Sequence, residues 1–143
     1  MAILFTSSLF GFMHFFNPNA SFISTFNIIL AGIILAIPYV MTGSLGLSVG
    51  LHFSWNFVMA GILGFPVSGK NIEFSILQIE QSGADFFTGG AFGPEAGILG
   101  LLGMAIMLGG SLVYIKQSRR ELHIDPLFVK DYQQTTKSDE QTA

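Results

Sequence analysis

Two imidazoles and a carboxamide stand in stretches of this sequence that are otherwise apolar. Phe10 and His14 are four residues apart, as are His52 and Asn56, so each pair shares one helix face. In lipid such polar groups must find partners within the protein or line a wet cavity. Two chemistries are open to them. They hydrogen-bond quietly between helices, or they meet and handle protons at membrane depth. Matched depth favours the second: at 1.5 Å per residue His14 lies roughly 18 Å, and His52 roughly 14 Å, from the start of its own span.

The elements that carry them follow from composition. Half of the 143 residues are apolar and only 10% are charged, against about 25% in a water-soluble domain. Mean hydropathy is +0.60. No Asp, Glu, Lys or Arg occurs from Met1 to Gly69. A soluble fold would present that segment as one large apolar patch, so a soluble globular domain is excluded. Nucleic-acid binding is excluded too, because the net charge is −3 and six scattered Lys and Arg build no basic face. Without Cys there is no disulfide framework and no thiolate metal site.

Apolar stretches run over Ala2–Phe16, Phe22–Met41, Gly43–Phe65 and Gly97–Ile115. The last three have about the 20 residues needed to cross a bilayer core. The first is short and starts at Met1 without the basic flank of a signal peptide, which reads as the remainder of a longer helix. Asn17-Pro18-Asn19 is a turn. Thr42-Gly43-Ser44 permits only a tight reversal or a kink. In the excursion Pro66–Glu95, Ile72, Phe74 and Ile76 alternate with polar residues, predicting a short extended piece. Gly89-Gly90-Ala91-Phe92-Gly93-Pro94 reads as an irregular loop. Lys116, Arg119 and Arg120 follow the last span and favour a cytoplasmic C-terminus.

Other candidates have plainer readings. Asn27 glues helices near a helix start. Gly46, Gly50 and Ser54, like Gly97, Gly100 and Gly103, read as close-packing stripes. Trp55 reads as packing, and the Phe-rich start as lipid-facing or core bulk. Glu95, just after Pro94, reads as an anion at a helix N-terminus in preference to a general base. His123 reads as a surface residue.

Ser8-Leu9-Phe10-Gly11-Phe12-Met13-His14 resembles the second motif, Phe-x-x-x-His, of the CPBP intramembrane proteases, the CAAX-processing and bacteriocin-processing (Abi-like) enzymes. Thr42-Gly43-Ser44-Leu45, followed by Gly50-Leu51-His52-Phe53-Ser54-Trp55-Asn56-Phe57, is similar to the third motif, His-x-x-x-Asn, with its lead-in. The resemblance covers Ser7 to Phe57 and continues loosely through Gly89–Glu95 and the last span. It implies peptide-bond hydrolysis inside the bilayer, on a membrane-embedded or lipidated peptide. A glutamate of the first motif, Glu-Glu-x-x-x-Arg, would activate a water. His14 and His52 would position it or assist proton transfer, and Asn56 would donate to the developing oxyanion. Zinc has been proposed for such families, but two His without a third ligand make a poor zinc site, and no cofactor is expected.

The first motif should precede Phe10, whereas the first Glu here is Glu73. The expectation is therefore an N-terminally truncated CPBP-type endopeptidase with little activity alone, since losing a general base costs about two to four orders of magnitude. Its catalytic residues would be His14, His52 and Asn56. The expected fold is an all-α membrane protein, a bundle of about four transmembrane helices with one long extracytoplasmic loop. Residues 1–115 would form the membrane domain and 116–143 a cytoplasmic, largely disordered tail, in the plasma (inner) membrane. One rival is a non-catalytic membrane interaction or immunity-type protein derived from that fold. The other, ranked last, is a transport subunit whose His residues relay protons.

Overall fold

A computed structural model describes residues 1–119 and 122–129, and its regular structure is helical. Helix α1 spans Ala2–His14 and α2 spans Phe22–Thr42. Helix α3 spans Leu45–Asn56 and continues as a π-helical segment, Phe57–Ile62. A single turn, α4, covers Asp85–Thr88, and α5 covers Ile98–Arg119. No strand forms among the described residues; Val67 and Lys70 make one isolated bridge.

Local chemistry sets the helix limits. Ser21 accepts from the Ser24 N–H at 3.1 Å, and Ser24 Oγ accepts from the Ser21 N–H at 2.7 Å. This reciprocal box starts α2 by satisfying donors that the first turn leaves open. Gly43, at φ +64°, ends it, its N–H bonded to the Tyr39 carbonyl at 2.8 Å. The tight reversal into α3 follows directly.

Three helices are long and apolar enough to cross a membrane: Phe22–Thr42, Leu45–Ile62 and Ile98–Arg119. Helix α1, the first of the about four expected, is apolar but has 13 residues in the given sequence. At 1.5 Å each that is about 20 Å, short of a hydrocarbon core of about 30 Å.

Helix α2 packs against α1, α3 and α5. Its crossing with α1 is close. A Cβ on Gly11 would lie 2.3 Å from Ile29 Cγ1, and one on Gly32 would lie 3.1 Å from Ser7 Cβ. The expected stripe on α3 is not a packing stripe: Gly46, Gly50 and Ser54 are exposed, and nothing lies within 4 Å of a Cβ on Gly50. A spacing of four marks a helix face without saying which way it points, and here Ser48 is the residue turned inward. The stripe on α5 does pack. A Cβ on Gly100 would stand 2.0 Å from the Pro94 carbonyl oxygen, and one on Gly103 2.9 Å from the Trp55 ring.

The excursion between α3 and α5 folds back onto the bundle. The N–H groups of Ile76, Leu77 and Ile79 donate to the carbonyls of Gly61, Ile62 and Leu63 at 3.0, 2.8 and 3.2 Å. This irregular run thus serves carbonyls that the helix end leaves without partners. Further on, two 3₁₀ turns, Gly90–Phe92 and Pro94–Ala96, bury Phe92 and Glu95. Gly93 adopts φ +106° where a Cβ would meet the Pro66 carbonyl oxygen at 2.0 Å, so only glycine fits. The segment read as an irregular loop is a packed plug.

The boundary expected after Ile115 falls inside α5, which runs on to Arg119. Residues 122–129 dock on the end of α2. The Asp125 N–H donates to the Val40 carbonyl at 2.9 Å, and Phe128 stacks edge-on against Tyr39 at 5.1 Å. Arg119 donates to the Thr42 carbonyl at 2.6 Å and to Asp125 at 3.1 Å. His123 is exposed, as expected. The rest of the expected disordered tail, residues 120–121 and 130–143, lies outside the described residues.

Gly100→Ala is expected to destabilise the protein by about 1–3 kcal/mol through forced overpacking, and Gly109→Ala, which faces open space, to be neutral in thermal unfolding in detergent. The Leu127 N–H first, and then Arg119, hold the Asp125 carboxyl below its ordinary value of 3.8. A group depressed in the folded state stabilises it above that ordinary value and loses the effect as pH falls through the folded value. Hydrogen-exchange protection of 122–129 should therefore fall on acidification below about pH 4, and Asp125→Asn should show the low protection at every pH.

Candidate active site

On α3, Ser48, His52 and Asn56 recur every four residues and form one polar stripe. Together with Leu35, Val49 and Phe53 they line an open groove of about 330 Å³. Ser48 Oγ and Asn56 Oδ1 are buried atoms without a hydrogen-bond partner in the protein. Buried polar atoms left this way are uncommon and call for a reason, and a groove that takes a polar ligand is one. Immediately after Asn56 the helix widens into its π segment, a distortion frequent near functional sites.

His14 is held differently. Its Nδ1 donates to the Phe10 carbonyl at 2.7 Å, a bond that leaves Nε2 as the acceptor nitrogen. The Phe10 ring lies against both imidazoles, 4.5 Å from that of His14 and 5.7 Å from that of His52, edge-on to the latter. So one aromatic ring is in contact with both histidines. His14 does not line the groove of His52 and Asn56.

Behind His52 is a second, smaller and less open space of about 20 Å³. Phe10, Ile28, Ala31, Leu35, Met104 and Met107 form its apolar wall, and His52, Trp55, Ser68 and Glu95 its polar side. Glu95 is only 4% exposed. Its Oε1 accepts from Trp55 Nε1 at 3.0 Å. Its Oε2 accepts from the Ser68 N–H at 2.7 Å and the Ser68 hydroxyl at 2.8 Å. Asn27 donates to its backbone carbonyl at 3.0 Å. Ser68 sits at φ +49°, a left-handed conformation that costs a non-glycine residue about 1–2 kcal/mol, and its two bonds to Glu95 help hold it there.

The reading of Glu95 as an anion serving the helix N-terminus is therefore corrected, because its carboxylate bonds run to Trp55 and Ser68. Trp55 packs, as expected, and is also a donor. Asn27 joins helices as expected, through a partner 68 residues away. Sequence reasoning missed Ser48, whose signal was the continuation of the His52–Asn56 spacing by one more turn. It missed Ser68 too, which had no signal. Among the described residues no three of His, Asp and Glu are grouped to hold a metal ion. The donor set around His52 does not fit zinc.

Comparison with known proteins adds one finding. Residues 1–58 match the family model described as type II CAAX prenyl endopeptidase Rce1-like. The matched segment, less than half of the chain, contains both motif histidines and Asn56, and over it the chain is similar to the CAAX protease family. No curated protein and no solved structure matches the chain. The apolar helices and this match together indicate an integral membrane protein.

Asn27→Ala leaves the buried Glu95 carbonyl without its donor and is expected to cost about 1–3 kcal/mol in denaturant unfolding. Ser54→Ala, at an exposed position, is expected to change nothing in the same measurement.

Proposed function

We propose that this chain carries an intramembrane endopeptidase site of the CAAX-processing type, centred on His52 and Asn56. The observation that supports it best is the groove in which His52, Ser48 and Asn56 stand on one face of α3, with Ser48 Oγ and Asn56 Oδ1 unpartnered. A peptide carbonyl entering there meets an imidazole and a carboxamide one helical turn apart. Water adds to the carbonyl carbon and gives a proton to His52. The Asn56 amide donates to the oxyanion. As the C–N bond breaks, the same proton passes from His52 to the leaving amine.

His14 contributes through its free Nε2 and through Phe10, which fixes the distance between the imidazoles. The substrate is a membrane-embedded or lipidated peptide. The C-terminus is cytoplasmic, on the strength of Lys116, Arg119 and Arg120 beside the last span. That places the excursion between α3 and α5 on the extracytoplasmic side of the plasma (inner) membrane.

The test is cleavage of a prenylated CAAX peptide and of a membrane-spanning leader peptide by the protein reconstituted in lipid. His52→Ala is expected to lower kcat/KM about 10²–10⁴-fold, and Asn56→Ala about 10²–10³-fold, chiefly in kcat. If His14→Ala and His52→Ala both leave cleavage intact, the assignment is wrong. A second reading, a non-catalytic membrane interaction protein, draws on the open face of α3 at Gly46 and Gly50. It predicts that Gly50→Leu abolishes capture of a partner while His52→Ala is harmless, and co-purification of the two variants separates the readings.

A further inference from the structure

Glu95 is the buried carboxylate that the reading above leaves without a task. In a membrane-spanning bundle an ionisable side chain marks function by default. Its surroundings narrow the choice. An ionised carboxylate has about four acceptor positions, and Trp55 Nε1, the Ser68 N–H and the Ser68 hydroxyl take three of them. The fourth is left for a donor from the space of about 20 Å³ that Glu95 shares with His52. A water needs about 10–15 Å³ and two to four polar partners. The space has room for one water, with polar groups on one side only.

We propose that Glu95 and His52 hold a single water between them, and that through it the carboxylate orients the imidazole that works in the groove. His52 stands between the two spaces, since it lines the smaller one with Glu95 and the open groove with Asn56. The water donates one hydrogen to Glu95 and meets a ring nitrogen of His52 with its other valence. That contact selects the tautomer and rotamer of His52, and with them the nitrogen offered to the groove. Glu95 is on this account a positioning residue, since it reaches the reacting atoms only through His52. The two bonds from Ser68 keep the fourth acceptor position aimed at the cavity.

The kinetic consequence rests on the endopeptidase reading, whereas the structural one does not, so the experiment has two arms. In the first, the protein labelled with ¹⁵N-histidine is purified in detergent, and the ring nitrogens of His52 are observed by long-range ¹H–¹⁵N correlation. The His52→Gln spectrum supplies the assignment. Glu95→Gln is expected to change the tautomer signature of His52 and to leave that of His14 in place. Ala31→Val fills the cavity with methyl groups without touching either polar partner, and should produce the same change. Trp55→Phe removes one donor to Glu95 but keeps the carboxylate and the cavity, and should leave the signature near wild type.

Fluorescence of Trp55, the one tryptophan of the chain, checks in the variants that keep it that the fold around Glu95 persists. Should Glu95→Gln fail to fold, Ala31→Val alone decides. An unchanged His52 signature in a folded Glu95→Gln or Ala31→Val protein overturns the proposal, whether or not any peptide is cleaved. In the second arm, Glu95→Gln and Ala31→Val are expected to lower kcat at least 10-fold at unchanged KM, with Trp55→Phe within 3-fold and Glu95→Asp intermediate. Equal losses in Trp55→Phe and Glu95→Gln would mean that Glu95 only braces the helix, and would overturn it.

Discussion

A carboxylate removed from water must be given donors, because leaving it unpaired in an apolar interior costs several kcal/mol. In this protein that constraint is met at Glu95, and meeting it organises the bundle. The carboxylate takes Trp55 from α3 and Ser68 from the segment after the π turn, and Asn27 of α2 donates to the backbone carbonyl of Glu95, which itself stands at the entry to α5. One residue thereby ties together the three helices long enough to span a membrane. None of those partners is within 25 residues of Glu95 in sequence, so the bonds exist only once the excursion has folded back.

The tie has a consequence for the candidate site. Trp55 lies three residues after His52 and one before Asn56. Packing of its ring against α5 helps set the rotation of α3 about its own axis. Gly103, which brings α5 to the other side of the same indole, closes the arrangement. With the rotation set, Ser48, His52 and Asn56 form one wall of the groove, and Gly46, Gly50 and Ser54 are turned outward. Phe10 enters from α1 and touches His52 edge-on, so the second motif meets the third through an aromatic ring. Close approach of α1 to α2 at Gly11 and Gly32 makes this reach possible.

Much of this was legible in the sequence, for identifiable reasons. Long uncharged runs mark the spanning helices, since composition alone decides whether a helix prefers lipid. Gly43 announces the reversal after α2 because few other residues adopt its backbone angle at low cost. The pairs Phe10–His14 and His52–Asn56 follow from helical periodicity and lie within the family match over residues 1–58. Where the reading went astray, it lacked a direction. A stripe of small residues on α3 is as periodic as one on α5, and only the neighbours distinguish a packing face from an open one. The first apolar stretch, read to Phe16, ends its helix at His14.

What the sequence by itself determined is therefore local: which segments are helical and apolar, where they turn, and which polar side chains share a helix face. Each of these depends on residues within a few positions of one another. Tertiary structure alone decided that Glu95 faces inward beside His52, that Ser68 grips it from a strained turn, and that His14 is kept one aromatic ring away from His52. Those outcomes depend on contacts between residues far apart in the chain, 68 positions in the case of Asn27 and Glu95. Such contacts are selected by the joint satisfaction of buried donors and acceptors, and no local pattern encodes that.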